Sequence, residues 1–378
     1  MSKLKNIKWK YYLNYILIAL ATVVLGALSI VGALPSSWQI IFENISIAIM
    51  LAVSLSMVVG FLGELSIGHA GFMCVGAYLG GKTVVLLEPI IGDIPAFLVG
   101  LVVGGVLAAL CGIVIGLPAL RLRGDYLAIV TLAFGEIVWS IFMNTSEDSF
   151  GGSLGMPTVR IDKDYLFIIA LVLVIGCLAV IQNLIRSKHG RAITSIRDNE
   201  IAAKATGINV TKYKLLVFTI SAFFAGIAGV LFASANYTVQ SMKFNYNYSI
   251  EILVMVVLGG MGNINGAIIS AALITFLDIK LQTVLTGDLA VLQDLIYALI
   301  LIVVVIYNNA PGLKTFREKY NVKKVIAHFC RPKDAAHVHD DEAKWDRVPT
   351  KIDMDEVLSV DVQVSSPYTP DKASKEEK

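Results

Sequence analysis

The sequence predicts an all-α polytopic membrane protein of about ten transmembrane helices, with broken glycine-rich segments and both termini cytoplasmic. The first reason is composition. The 378 residues are 56% hydrophobic and only 16% charged, where soluble globular domains carry about 25% charged residues, so a water-soluble fold is excluded. The second is block length. Apolar residues fall in runs of roughly 18 to 25, which a hydrocarbon core about 30 Å thick requires of a helix rising about 1.5 Å per residue. Such a helix satisfies its own backbone polar groups, as a lipid-facing segment must. The third is the distribution of Lys and Arg between alternate loops.

In chain order the expected spans lie near 11–32, 39–61, 66–87, 94–118, 126–143, 165–185, 214–235, 250–261, 264–280 and 290–307. The basic start, MSKLKNIKWK, precedes an apolar stretch as a signal peptide would, but no small-residue cleavage site follows, so it reads as an uncleaved first span. Positive loops stay cytoplasmic. Four lysines in residues 1–10, Arg121 and Arg123, seven basic residues in 186–214 and five in 314–324 fall on one side, against Lys82, Arg160, Lys163, Lys243 and Lys280 on the other. An even number of crossings with both ends inside follows. Whether the eighth and ninth spans cross fully or form a re-entrant pair is open at this level.

The membrane body thus covers residues 1–310, followed by a basic juxtamembrane segment 311–330 and a tail 331–378 with 12 acidic and 8 basic side chains. That composition cannot bury a core and predicts disorder. Cys74, Cys111 and Cys177 lie within spans and Cys330 on the cytoplasmic side, with no CxxC spacing, so no disulfide, iron–sulfur or zinc core is expected.

The longest loop, 186–213, mixes Ile193, Ile196, Ala203 and Ala205 with charges. Asp198 with Asn199 offers an N-cap for EIAAKAT, Glu200 suits the first turn, and Gly207 ends it. A short amphipathic helix beneath the membrane is expected. Taken alone, the loop is equally a solvated basic linker that enforces topology.

Two glycine-rich stretches, 60–81 and 259–267, point to broken helices or to very close packing. Candidates for a translocation path are Gly68, His69 and Gly71 in the first and Gly259, Gly260 and Gly262 in the second, with the carboxylates Glu64 and Glu136. Ionisable groups inside a membrane are costly and mark function by default. Glu136 as a helix–helix hydrogen-bonding group and Glu64 as a cap are equally open readings, while His69, next to glycines, reads as a packed, hydrogen-bonded histidine rather than a ligand.

Residues 76–83, GAYLGGKT, match the phosphate-binding pattern G-x-x-x-x-G-K-[ST]. That motif needs a preceding strand and an α/β domain supplying an acidic Mg²⁺ ligand. Neither fits a span, so the match is read as chance. G260-M-G262-NIN-G266 has one residue too many for a dinucleotide fingerprint. His328, Cys330, His337 and His339 have the donors but not the spacing of a structural zinc site. No catalytic residue, cofactor, metal or nucleic-acid partner is expected.

Five segments together, GELSIGHAGFMCVGAYLGG (63–81), LRLRGDYLAIVTLAFGEI (120–137), GGSLGMP (151–157), IRDNEIAAKATGINVTKYKLLVFTISAFFAGIAGVLFA (196–233) and VLGGMGNINGAIISAALI (257–274), resemble the LivM-type permeases of ABC importers for branched-chain amino acids. The likeness runs from about residue 40 to 310, and the tail departs from it. The resemblance implies that the middle loop is an ATPase-coupling element, similar to the EAA loop, with Glu200, Ala202, Ala203 and Gly207 at matching positions and Arg197, Asp198 and Asn199 beside them. It further implies separate ATP-binding subunits, a second permease of LivH type, an extracytoplasmic substrate-binding protein, and residence in the bacterial cytoplasmic membrane. Two alternatives remain: the same architecture importing urea or short amides, and an ion-coupled secondary transporter acting alone through Glu64, Glu136, Glu251 and Asp294.

Overall fold

The computed structural model describes residues 35–284 except 121 and 123, together with Gly26, Leu295, Ala298, Leu299 and Ile302. Ten helices of six residues or more order the described residues: α1 Ser36–Leu62, α2 His69–Ile91, α3 Asp93–Ala119, α4 Asp125–Met143, α5 Lys163–Arg186, α6 Lys188–Asp198, α7 Glu200–Ala205, α8 Val210–Ala235, α9 Tyr246–Gly259 and α10 Ile264–Val284. Seven of them, α1 to α5, α8 and α10, are long and apolar enough to cross a membrane. They match the second to seventh and the ninth expected spans. The first and tenth, 11–32 and 290–307, lie outside the described residues apart from Gly26, Leu295, Ala298, Leu299 and Ile302, as do Asp294 and everything beyond 310.

The eighth expected span, 250–261, is instead the 14-residue α9, which begins at Tyr246. At 1.5 Å per residue it is about 21 Å long, short of a bilayer core of about 30 Å. The reason is local. Gly260 (φ +90°) and Gly262 (φ +80°) hold a left-handed backbone that stops the helix at Gly259, two residues short of the expected end at 261.

Helices α8 and α1 form the centre. Most of their apolar residues are buried, with α8 packed on α1, α2 and α3. The crossing of α2, α3 and α8 is built on glycine. A Cβ on Gly76 would fall on the Gly226 backbone, and one on Gly226 would come 2.7 Å from the Gly104 carbonyl oxygen. Helix α2 widens to π-helical turns over Gly76–Gly80 at this crossing. This disposes of GAYLGGKT as a phosphate loop: its residues are helical, and Gly76 and Gly80 are spent on helix packing. Outward faces stay apolar, with Val102, Val106, Leu110 and Val114 exposed at four-residue spacing along α3. Lipid-facing helices require such a face. Two-residue strands β1 (Met156–Pro157) and β2 (Thr238–Val239) pair antiparallel, Met156 with Val239, and join the loops before α5 and after α8.

Candidate functional site

The middle loop folds into two helices where the sequence predicted one. Ser187 caps α6, its hydroxyl accepting from the His189 and Gly190 amides, and Ile193 and Ile196 turn inward. Asn199, not Asp198, caps α7: its Oδ1 accepts from the Ile201 and Ala202 amides at 3.0 Å each. Asp198 ends α6 in an ion pair with Arg197 at 3.0 Å. At the other end Gly207 takes φ +84°, its amide donates to Lys204 O and the Ile208 amide donates to Ala203 O. These two bonds make a Schellman close. Six residues are thus fixed at both ends, which a helix so short requires to persist. Replacing Asn199 with Ala removes the acceptor at a cost of about 1 kcal/mol. Amide exchange at Ala202 and Ala203 should then quicken about fivefold, read by mass spectrometry, while exchange in α8 stays unchanged.

Residues on α7 divide by face. Ala203 is buried against the bundle, whereas Ile201 is 74% exposed, with Ala202 and Ala205 beside it in the open. Arg197 and Glu200, expected to contact a partner, are used within the chain. Arg197 Nη1 donates to Gly60 O at 3.2 Å, and its aliphatic stem lies where a Cβ on Gly63 would be. Glu200 accepts from Lys204 at 2.7 Å and from Lys214 at 3.2 Å, and Lys214 also donates to Glu64.

The bond from Lys204, foremost, and that from Lys214 hold the Glu200 carboxyl below its ordinary value, against an opposing effect of burial. A carboxylate with a lowered folded-state pKa stabilises the fold above its unfolded pKa, and that stabilisation is lost as pH falls through the folded value. Helix α7 is therefore expected to hold from neutrality down to the ordinary carboxylate range and to loosen below it. Amide exchange at Ala203 and Lys204, corrected for the intrinsic rate, checks this from neutrality to well below the ordinary carboxylate range of about pH 4; protection that stays unchanged below that range would refute it.

The two glycine-rich breaks are brought together. Residues 63–68 leave the end of α1 without helical structure and run back into the bundle, so that α2 begins at a buried residue, His69, only 2% exposed. Near one end of this stretch a Cβ on Gly60 would come 3.0 Å from Gly262 Cα, and near the other the Ala70 amide donates to Ser249 Oγ at 3.1 Å. Helix α9 therefore lies beside the whole break. Gly68 is pressed on the Thr131 carbonyl of α4, while the Ile67 amide donates to Thr131 Oγ1 at 3.1 Å. A Cβ on Gly71 would lie 2.8 Å from Gly135 Cα. Gly259 touches the Gly266 backbone, which folds α9 sharply onto α10.

His69 Nε2 is 2.8 Å from Ser54 Oγ, whose own hydroxyl donates to Leu51 O at 2.9 Å. The two bonds fit together when Nε2 carries the proton and donates to Ser54, so His69 is a packed, hydrogen-bonded histidine. Glu136 is half-buried on α4 next to Gly135 and belongs to neither cluster.

Four residues of these clusters escaped sequence reasoning: Lys214, Ser54, Thr131 and Ser249. Lys214 carried a signal, a lysine at the start of an apolar helix. The three hydroxyls carried none, since Ser and Thr are common in membrane helices. A buried carboxylate, Glu43 in α1, was also passed over.

Comparison with known proteins agrees with the helical body. The model of the branched-chain amino acid transport system permease component matches residues 39–305. The high-affinity branched-chain amino acid transport system permease protein LivM of Salmonella typhimurium is 38% identical across an alignment of 269 residues, covering 60% of this chain and 60% of that protein. LivM of Escherichia coli gives the same figures. The ribose import permease protein RbsC of Haemophilus influenzae is 32% identical over 131 residues, 33% of this chain and 40% of its own length. The chain thus spans about 60% of the length of the LivM relatives. No solved structure matches. With more than half of its length matched, over the helices and both glycine-rich breaks, this multi-pass membrane chain belongs to the branched-chain amino acid transport system permease component family.

Proposed function

We propose that the chain is one permease subunit of an ATP-driven ABC importer, carrying branched-chain or similar hydrophobic amino acids across the bacterial cytoplasmic membrane through ten spans with both termini inside. ATP hydrolysis belongs to separate ATP-binding subunits that dock on 186–213. A substrate-binding protein delivers cargo at the opposite face, and a second permease of LivH type completes the path.

One observation carries the reading. The tip of α7 presents Ile201, Ala202 and Ala205 to the outside on a helix locked by an N-cap and a Schellman close. An exposed isoleucine on a rigid, small-residue helix is what a groove on a partner takes up. The basic residues Arg186, Lys188, Arg191, Lys204 and Lys212 around it support a cytoplasmic placement of this end. The relatives named for branched-chain amino acids support the cargo.

The reading of a lone ion-coupled transporter loses its first carboxylate, since Glu64 is neutralised by Lys214. Purification of the tagged chain from its own membrane, followed by mass spectrometry, tests the proposal. ATP-binding subunits and a second permease are expected to co-isolate in stoichiometric amounts, and a chain recovered alone would overturn it.

A further inference from the structure

We propose that Lys214 is a positioning residue that ties the ATPase-docking helix α7 to the glycine-rich break at 63–68, and through it to the mid-bundle cluster of His69, Ser54, Thr131 and Ser249. The inference rests on the reading of 186–213 as the docking element.

Lys214 sits in the second turn of α8 with its side chain only 4% exposed, yet it holds two carboxylates from different parts of the chain. Glu200 is on α7, 3.2 Å away, and Glu64 is the first residue after Gly63 in the break. With Lys204 on the far oxygen of Glu200 the four side chains form an alternating line, Glu64, Lys214, Glu200, Lys204, whose charges sum to zero. A buried ion pair of this kind adds little stability over an apolar replacement, and its best-attested use is to fix a geometry. Removing one member strands the other charge, so the line behaves as a unit.

Arg197 supplies a second tie. Its guanidinium holds Gly60 O, its stem covers Gly63, and it lies 3.6 Å from where a Cβ on Gly262 would stand. Helices α6 and α7 are thereby fastened at two points to the loop end of one break and bear on the loop end of the other.

What lies beyond Glu64 can transmit a displacement. Residues 63–68 carry no helical structure, and Glu64 keeps one backbone bond to the preceding turn, its amide donating to Val58 O at 3.2 Å. A connection of six residues is short, able to span at most about 20 Å. Its inner end is pinned at Ile67 to Thr131 and at Ala70 to Ser249. A shift of α7 pulls on Glu64 through Lys214, and this short connection passes the shift to the start of α2 and to α9. Two packed arrangements of these breaks, selected by the state of the docked partner, are the bistable element that coupled transport needs.

The test uses the intact complex and the paired change Glu64→Gln with Lys214→Met, which removes both charges and strands neither. Three quantities are read: ATP-binding subunit co-isolated with the chain, ATP hydrolysis by the isolated complex, and leucine taken up per ATP hydrolysed after reconstitution with the complex's binding protein. The expected result is co-isolation within twofold of the unaltered chain and hydrolysis retained, while uptake per ATP falls at least tenfold. Lys214→Arg, which keeps the charge, should restore at least half of the uptake per ATP. A purely structural role for Lys214 would lower all three quantities together, and that result overturns the proposal, as does uptake per ATP unchanged in the paired variant. If the unaltered chain brings down no ATP-binding subunit, the docking reading itself has failed, which this first quantity reports separately.

Discussion

Gly226→Leu is expected to abolish recovery of folded protein. Gly226 lies where α8 crosses both α2 and α3, and a Cβ there would come 2.5 Å from Ala108 Cβ and 2.7 Å from Gly104 O. Overpacking a core costs about 1–3 kcal/mol where side chains can move aside. Here the obstacles are the backbone of α3 and a side chain with no rotamer to change, and the reciprocal contact from Gly76 on α2 blocks relief in the other direction. Three of the longest helices would have to separate. Gly226→Ala adds this same Cβ and should cost at least about 3 kcal/mol, lowering Tm by about 6 °C or more, since about 1 kcal/mol shifts Tm by about 2–4 °C in a body of this size. Gly176→Ala is the control. Gly176 is exposed on α5 with nothing within 4 Å of the added methyl, so this change should leave Tm unchanged or raise it, by up to about 1 kcal/mol of helix propensity. Size-exclusion profiles and thermal melts in detergent measure all three, and a Gly226→Leu protein that melts like the parent would refute the account of the crossing.

The contrast between those two glycines shows what a sequence makes legible. Block length and charge sufficed for α1 to α5, α8 and α10, because a hydrocarbon slab imposes one length on every crossing helix. The glycine count in 60–81 announced a special region but could not say which glycine opens a break and which admits a neighbouring helix. Gly63 (φ +79°) does the first and Gly76 the second, and only the partner backbone tells them apart. Capping was readable because it is local: Asn199 and Gly207 act within four residues of themselves.

Helix α6 was harder. Its inward side is narrow, Gly190, Ile193 and Ile196, and a basic exterior hides so short an apolar stripe. The bond from Lys214 to Glu64 spans 150 positions, and no periodicity encodes a pair that distant. Within the candidate site, Asn199 and Gly207 could be given roles from neighbours in sequence, whereas Glu64, Gly68 and His69 could be named but not their partners in space, Lys214, Thr131 and Ser54.

Ile201→Glu should separate assembly from stability more sharply than any other single change. Ile201 is 74% exposed, so the folded chain loses little apolar burial when it is replaced. The Asn199 cap takes its bond from the Ile201 backbone amide, which every residue but proline supplies, and a second carboxylate in the first turn of α7 is favoured by the helix dipole. Melting temperature and detergent elution are therefore expected to match the parent. Docking is another matter. An apolar side chain at the centre of a small interface behaves as a hot spot worth about 2 kcal/mol or more, and a buried charge in its place adds a desolvation cost. Two kcal/mol is about thirtyfold in affinity, so co-isolated ATP-binding subunit and leucine uptake should both fall by at least that factor. Ile201→Val, which removes one methylene, should keep most of both. If Ile201→Glu left uptake and co-isolation intact, the tip of α7 would not be the surface that engages the motor, and the face of α6 bearing Lys188 and Arg191 would be the one to test next.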